Sequence, residues 1–365
     1  MIKKLCALLL IATFTLIAPC YAEETATPTL YILTLEDAIN MALTNNQQLV
    51  ACQVKKDAAQ TTLSVAKSDQ KDAKKSPIVI NDLIYVKNGY AVAASEMQIR
   101  LADAEYQQIT NRISYQVTEK YYNIKLAEQI LFIQQNGYEM AKENLNIVSS
   151  QFDMGMVSDL EVQNALIQVT KTEYARREAS RNYWLAVEDF KIALGLEGAC
   201  SFTLTDNITY EDYEPHPDAE IPVALTTRYD VAALREVAQL DELYFTITEK
   251  ITAENTADYK NAQSTYLQSK YNYDTNAKLI GLSIRASANN IHTTKGNLDV
   301  ATMSLEVKER EYETAQLKFS MGMITNLELV KAQTELLQAQ TELESSKLAY
   351  KLAVEKYQYE ITYGV

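Results

Sequence analysis

Met154-Gly155-Met156 and Met321-Gly322-Met323 stand 167 residues apart in one chain. Each has a phenylalanine just ahead, Phe152 or Phe319, and a leucine four residues behind, Leu160 or Leu327. The chemistry such sets offer is non-covalent. Thioether side chains are unbranched and polarisable, so methionines gathered at a turn adapt to the shape of a partner and make a docking surface. The competing use is packing of the turn against its own helix ends. One residue past each leucine lies a carboxylate, Glu161 or Glu328, and three residues further lie Asn164 and Lys331. A carboxylate there either draws cations through its field or caps the helix that begins beside it. Capping is the reading favoured here, and the two uses are compatible.

Covalent and metal chemistry find little support. The histidines are His216 and His292. His216 lies between Pro215 and Pro217 and reads as a loop residue; His292 sits beside Ile291 and reads as a helix-surface side chain. Beyond the N-terminal segment the cysteines are Cys52 and Cys200, read as two separate thiols with a disulfide between them left open. No histidine–cysteine cluster has ligand spacing for zinc or copper. No phosphate loop or nucleophile–base pair is visible, so no catalytic, cofactor-binding or metal-ligating residue is expected. The formal net charge of −14 argues against nucleic acid as a partner. The 24 tyrosines recur on heptad positions such as Tyr138, Tyr312, Tyr350 and Tyr357 and read as packing residues with a polar tip.

The elements that position the two methionine sets follow from a repeat. Gln151 to Glu161 returns as Lys318 to Glu328, and Leu185-Ala186-Val187-Glu188 returns unchanged as Leu352-Ala353-Val354-Glu355. A repeat of this length means two similar supersecondary units. Val117, Ile124, Leu131, Tyr138, Leu145 and Phe152 lie seven apart, as do Ile284, Ile291, Leu298, Leu305, Tyr312 and Phe319. After the second methionine set, the stripe Leu329, Leu336, Leu343, Tyr350, Tyr357 runs beside Ala332, Ala339, Ser346, Ala353. After the first, Val162, Val169, Arg176, Tyr183, Phe190 run beside Ala165, Thr172, Ala179, Ala186, Ala193, with Arg176 the one break. A strict heptad predicts coiled-coil packing, and the alanine stripe lets helices approach closely.

Gly155 and Gly322 supply the left-handed residue that ends a helix, and Ser158/Glu161 and Thr325/Glu328 predict capping boxes that start the next. Each methionine set is therefore the tip of a long antiparallel hairpin. The first hairpin is predicted from about Ala91 to Asp153 and from Asp159 to Leu194. A further helix opens each half, from the Thr34 cap to about Lys75 and from Val223 to about Glu254. The predicted organisation is a signal peptide at 1–22, a first helical repeat at 23–194, a linker at 195–222 with a short strand at 201–204, and a second helical repeat at 223–365. The leader reading rests on Lys3 and Lys4, an apolar stretch from Leu5 to Pro19, and Ala22 ahead of the cut. A lipid on Cys20 is the alternative, opposed by Pro19 where a small residue is wanted. Loss of Lys3 and Lys4 takes the charge to −16. No transmembrane helix is expected in the exported chain.

With these features placed, the chain resembles the TolC-type outer-membrane efflux proteins. The resemblance rests on the paired aromatic-x-x-Gly turns followed by Leu160-Glu161-Val162 or Leu327-Glu328-Leu329 and an alanine-rich heptad helix. It rests also on the openings Leu33 to Ala38 and Ala224 to Asp230, and on Leu83-Ile84-Tyr85 with Gly89, similar to that family's strand end before the long helix. The heptads predict an all-α protomer of long antiparallel coiled-coil helices, and the resemblance implies a homotrimeric helical barrel. It implies a conduit for small molecules or proteins in an efflux or type I secretion assembly. Its partners would be a periplasmic adaptor (membrane fusion protein) and an inner-membrane pump. The hairpin tips, Phe152 to Leu160 and Phe319 to Leu327, would meet the adaptor. Glu161, Asn164, Glu328 and Lys331 would stand at the channel entrance, with Lys331 beside a neighbouring carboxylate.

The chain departs from that family where a membrane β-barrel belongs. A membrane strand needs about 9–11 alternating residues. Ile78 to Val86 is interrupted by Asn81-Asp82, and Ala253 to Leu282 has no strand pattern. Reduced or absent β-strands are expected, with an exported protein of the cell envelope, periplasmic or outer-membrane-associated. The alternative function is a structural coiled-coil scaffold of the envelope with no transport role.

Overall fold

The computed structural model describes residues 29–78, 80–362 and 364. The leader and its cleavage site lie outside the described residues. Among the described residues, two strands and nine helices follow one another as β1 (Thr29–Leu33), α1 (Leu35–Asn45), α2 (Gln47–Lys75), α3 (Asn81–Lys87), α4 (Tyr90–Asp153), α5 (Asp159–Ala193), β2 (Cys200–Leu204), α6 (Pro217–Thr227), α7 (Tyr229–Ile251), α8 (Ala257–Ser320) and α9 (Asn326–Thr362). The all-α expectation, with few strands, is borne out. Helices α4 and α8 each hold 64 residues, roughly 96 Å at 1.5 Å per residue. Among the described residues no helix is long and apolar enough to cross a membrane.

Chain order and packing repeat together. Helix α5 folds back on α4, and α9 folds back on α8, while α2 lies on α4 and α7 on α8. The two halves join where α9 and α7 pack on α4, so the long helices run across the protomer as α5, α4, α9, α8. The predicted alanine stripes are the close-contact faces: Ala165, Thr172 and Ala179 on α5 and Ala339, Ser346 and Ala353 on α9 are buried. Gly137 marks the closest approach, since a Cβ there would stand 2.5 Å from Leu337 Cδ1 of α9.

The core sits away from the tips, in two clusters. One gathers Val117, Tyr121, Ile124, Phe190 and Leu204 around β1 and β2, and the other gathers Ile284, Ile291, Leu298, Tyr350 and Tyr357. Strands β1 and β2 pair in parallel, Thr29 opposite Cys200 and Leu33 opposite Leu204. Tyr121 ties this pair to α4: its hydroxyl donates to the Leu33 carbonyl (3.1 Å) and accepts from the Asp206 amide (3.0 Å). Its ring packs edge-on against Phe190, which packs edge-on against Phe202. Cys52 and Cys200 are free thiols.

Four local readings are corrected. Leu83-Ile84-Tyr85 is the middle of helix α3, not a strand end. Asp82 in its first turn and Lys87 in its last complement the helix dipole, and Tyr85 is fixed by stacking on Tyr244 (5.0 Å) and by a hydrogen bond with Thr248 (2.8 Å). The first opening helix is two, because Asn46 ends α1 and accepts from the Gln48 amide to start α2. The second opening helix is also two, split at Arg228. Its first part begins at Pro217, inside the segment read as linker, since proline at the first helical position lacks only an amide that would go unpaired. The Thr34–Asp37 capping box forms as the sequence predicts.

Candidate docking tips and channel entrance

Both methionine sets sit at the ends of 64-residue and shorter helices, built by the same backbone device. At the first tip the Met156 amide donates to the Gln151 carbonyl (2.8 Å) and the Gly155 amide to the Phe152 carbonyl (2.8 Å). At the second, Met323 donates to Lys318 (2.9 Å) and Gly322 to Phe319 (2.9 Å). This paired bonding closes the last helical turn and requires a left-handed residue, which Gly155 (φ 72°) and Gly322 (φ 69°) supply. The turn leaves the methionines outside: Met154, Met156, Met321, Met323, Leu160, Leu327 and Phe152 are all exposed, and Phe319 is half-buried. Isolated apolar side chains on a surface are ordinary, but two such groups at two equivalent tips make a patterned apolar surface.

The second tip starts α9 with the capping box read from the sequence. The Thr325 amide and hydroxyl both donate to Glu328 (2.9 and 3.0 Å), and the Glu328 amide donates to Thr325 Oγ1 (3.4 Å). These bonds, the backbone one foremost, hold the exposed Glu328 carboxyl below its ordinary range. The first tip does not repeat the device: the Ser158 side chain makes no cap bond, and only its carbonyl accepts from the Glu161 amide (3.0 Å). The predicted capping box at Ser158 is therefore corrected, which leaves the half-buried Glu161 free of that duty. Asn164 is half-buried one turn on, and exposed Lys331 approaches Glu335 (3.9 Å) rather than Glu328. Glu335 is shared with Lys308, which also holds Glu311 (2.7 and 2.8 Å), and this pair of bonds pushes the Lys308 ammonium up to about 12. The structure thus brings Lys331 and Glu335 together and leaves Glu161 and Glu328 on separate helix starts.

Sequence reasoning missed the polar contact that joins the halves near the tips. Asn144 of α4 donates to Asn326 at the start of α9 (2.8 Å), both side chains buried, and Gln333 donates to the Gly137 carbonyl (3.3 Å). The available signal was a glycine inside a heptad helix, which marks close backbone approach. Arg176, the break in its stripe, lies over the Tyr138 ring (5.5 Å), so its guanidinium packs on an aromatic face.

The fold is shared with solved outer membrane channel proteins. Residues 251–356 match the family model of outer membrane efflux proteins. The Campylobacter jejuni CmeC outer membrane channel is 14% identical over 90% of this chain and 85% of its own, with a TM-score of 0.72. The outer membrane protein VceC from Vibrio cholerae is 13% identical over 90% of this chain and 96% of its own, with a TM-score of 0.71. The open state of the Neisseria gonorrhoeae MtrE outer membrane channel is 11% identical over 90% and 89%, with a TM-score of 0.73. No curated protein matches the sequence. The resemblance read from the paired turns and heptads is borne out.

Proposed function

We propose that this chain is the protomer of a homotrimeric, helical conduit in the cell envelope, passing small molecules or proteins in an efflux or type I secretion assembly. The observation that carries the reading is the conjunction of a channel-protomer fold over nine-tenths of the chain with two equivalent tips that present methionine to solvent. The tips are the docking surface for a periplasmic adaptor, which couples the tube to an inner-membrane pump. The work is done by geometry; none of the steps needs a catalytic group or cofactor. Glu161, Asn164, Glu328 and Lys331 lie next to the tips and set the charge at the entrance.

The test is the double substitution Met156→Asp with Met323→Asp in the exported chain. The expected result is a trimer of unchanged mass by light scattering that no longer captures the adaptor in a pull-down from host envelopes. Unchanged capture by an intact trimer refutes docking through the tips.

One observation favours a second reading, a scaffold without transport. Where the family resemblance places inserted membrane strands, residues 81–87 form helix α3 and residues 252–256 form a short turn into α8. Accumulation of a fluorescent efflux substrate in a deletion strain separates the two: a rise supports the conduit, and no change with a distorted envelope supports the scaffold.

A further inference from the structure

The fold sorts the sulfur atoms of this chain by access. Cys52 is 3% exposed, and burial pushes its thiol up, away from the reactive thiolate. Cys200 is a half-buried thiol on β2, away from the tips. Met97 is buried, and Met41 and Met140 are half-buried. Met154, Met156, Met321 and Met323 are between 52% and 70% exposed, and Met303 is the other exposed methionine among the described residues. Four of the five open thioethers therefore stand on the two hairpin tips.

The turn keeps them open. Nothing lies within 4 Å of where a Cβ on Gly155 or Gly322 would stand, so no neighbouring element covers either triplet. The turn also commits its donors. The amides of Met154, Gly155 and Met156 donate to the carbonyls of Ser150, Phe152 and Gln151. Those of Met321, Gly322 and Met323 donate to Leu317, Phe319 and Lys318. An oxygen added to a tip sulfur finds no free amide in its own triplet and depends on water.

A thioether needs no deprotonation to react with a two-electron oxidant of the hypochlorous acid class. Its lone pair attacks chlorine, an S–Cl bond forms as the O–Cl bond breaks, and water then displaces chloride to leave S=O. Overall, a thioether and hypochlorous acid give a sulfoxide, chloride and a proton; sulfur is oxidised by two electrons and chlorine is reduced by two. The product replaces an adaptable apolar side chain by a polar one and is reduced back by methionine sulfoxide reductases. A docked partner excludes the water that the new oxygen needs, so the oxidised tip is penalised in the complex and not in the free tube.

We propose that Met154, Met156, Met321 and Met323 are reversible oxidation sites whose sulfoxides release the tips from the adaptor, so that an oxidant reaching the envelope uncouples the tube. The proposal rests on the docking of the tips to an adaptor. The hairpin survives the change, because its turn is held by backbone bonds and glycine conformation alone.

The experiment treats the full exported chain with hypochlorous acid and maps each methionine by peptide mass spectrometry. Binding is read against the host adaptor that the untreated tube retains, purified and immobilised. The four tip methionines should gain oxygen about tenfold faster than Met97. Mass by light scattering and helix content should stay unchanged while affinity falls about tenfold or more. Methionine sulfoxide reductase with dithiothreitol should restore binding, and dithiothreitol alone should not, which separates the methionines from Cys200. The Met303→Leu chain should lose affinity on oxidation just as the parent does. Tips that oxidise no faster than Met97, or a loss that persists once the reductase has cleared the tip sulfoxides, overturn the proposal. Unchanged affinity of fully oxidised tips, where Met156→Asp with Met323→Asp abolishes binding, overturns the switch and leaves docking standing. Unchanged affinity in both cases overturns docking as well.

Discussion

Gly137→Ala tests whether the two halves are held by close helix approach. The added Cβ would lie 2.5 Å from Leu337 Cδ1 and 3.2 Å from Cδ2, so rotating the leucine exchanges one clash for another. Leu337 is buried, and overpacking of this kind costs about 1–3 kcal/mol. Separating α9 from α4 also stretches the bond from Gln333 to the Gly137 carbonyl, already 3.3 Å and buried, at a cost of about 1 kcal/mol. Against these stands the helix preference for alanine over glycine, about 1 kcal/mol. The net expectation is a loss of about 1–3 kcal/mol confined to the α4–α9 seam. An elongated coiled-coil protein need not unfold in one step, so the assay is amide hydrogen exchange in segments 130–145 and 326–341. Protection there should fall about five- to a hundredfold, with little change in α1 or α6. Gly296 of α8 is the control, because a Cβ there meets nothing within 4 Å: Gly296→Ala should stabilise by up to about 1 kcal/mol. If Gly137→Ala instead raises protection as Gly296→Ala does, the seam is not close-packed at that point and the reasoning fails.

Tyr121→Phe removes the hydroxyl that bridges Leu33 and Asp206; a loss of about 1–3 kcal/mol is expected, read as faster exchange at residues 30–33 and 202–206 with α8 unaffected. Arg228→Ala should free the end of α9, because the guanidinium pairs with Asp230 (2.7 Å) and donates to the Glu360 carbonyl (2.9 Å) while nearly buried; limited proteolysis near residue 360 is the readout, and an unchanged cleavage rate would count against the clamp. Glu328 has a depressed carboxyl, so its cap contributes stability above its ordinary value of 4.5 and loses it as pH falls through the lower folded value. Protection factors in the first turn of α9, taken against the intrinsic exchange rate at each pH, should therefore fall in acid, and Thr325→Ala, at a cost of about 1 kcal/mol, should remove that pH dependence.

What was legible in the sequence was what a chain writes locally and more than once. The left-handed residue at Gly155 and Gly322 is demanded by the turn itself, and the heptads repeat over enough turns to fix both helix and packing face. Leu83-Ile84-Tyr85 was misread because a short apolar run fits strand and helix alike; Tyr244 and Thr248, on a helix about 160 residues away, decide the matter. Ser158 and Thr325 show the limit of a local motif. Both stand three residues before a glutamate, yet only Thr325 forms the box, so the spacing permits the bond without compelling it.

The strand at 201–204 and the glycine at 137 could be read locally, but the pairing of β1 with β2 and of Asn144 with Asn326 could not, since the partners lie 171 and 182 residues apart in the chain. Yet the repeat carries information that neither copy holds alone. Where its two copies agree, as at the methionine tips, the same turn is built twice. Where they differ, the difference sorts the residues by surroundings: Asn144 and Asn326 are buried against each other within one chain, while their counterparts Glu311 and Asp159 are charged and stand on the two free edges. Burying a neutral pair costs less than burying a charged one, so at this position the neutral pair stands inside the chain and the charged residues stand where water reaches them. The departures from the repeat therefore locate the edges of the protomer as directly as its matches locate the tips.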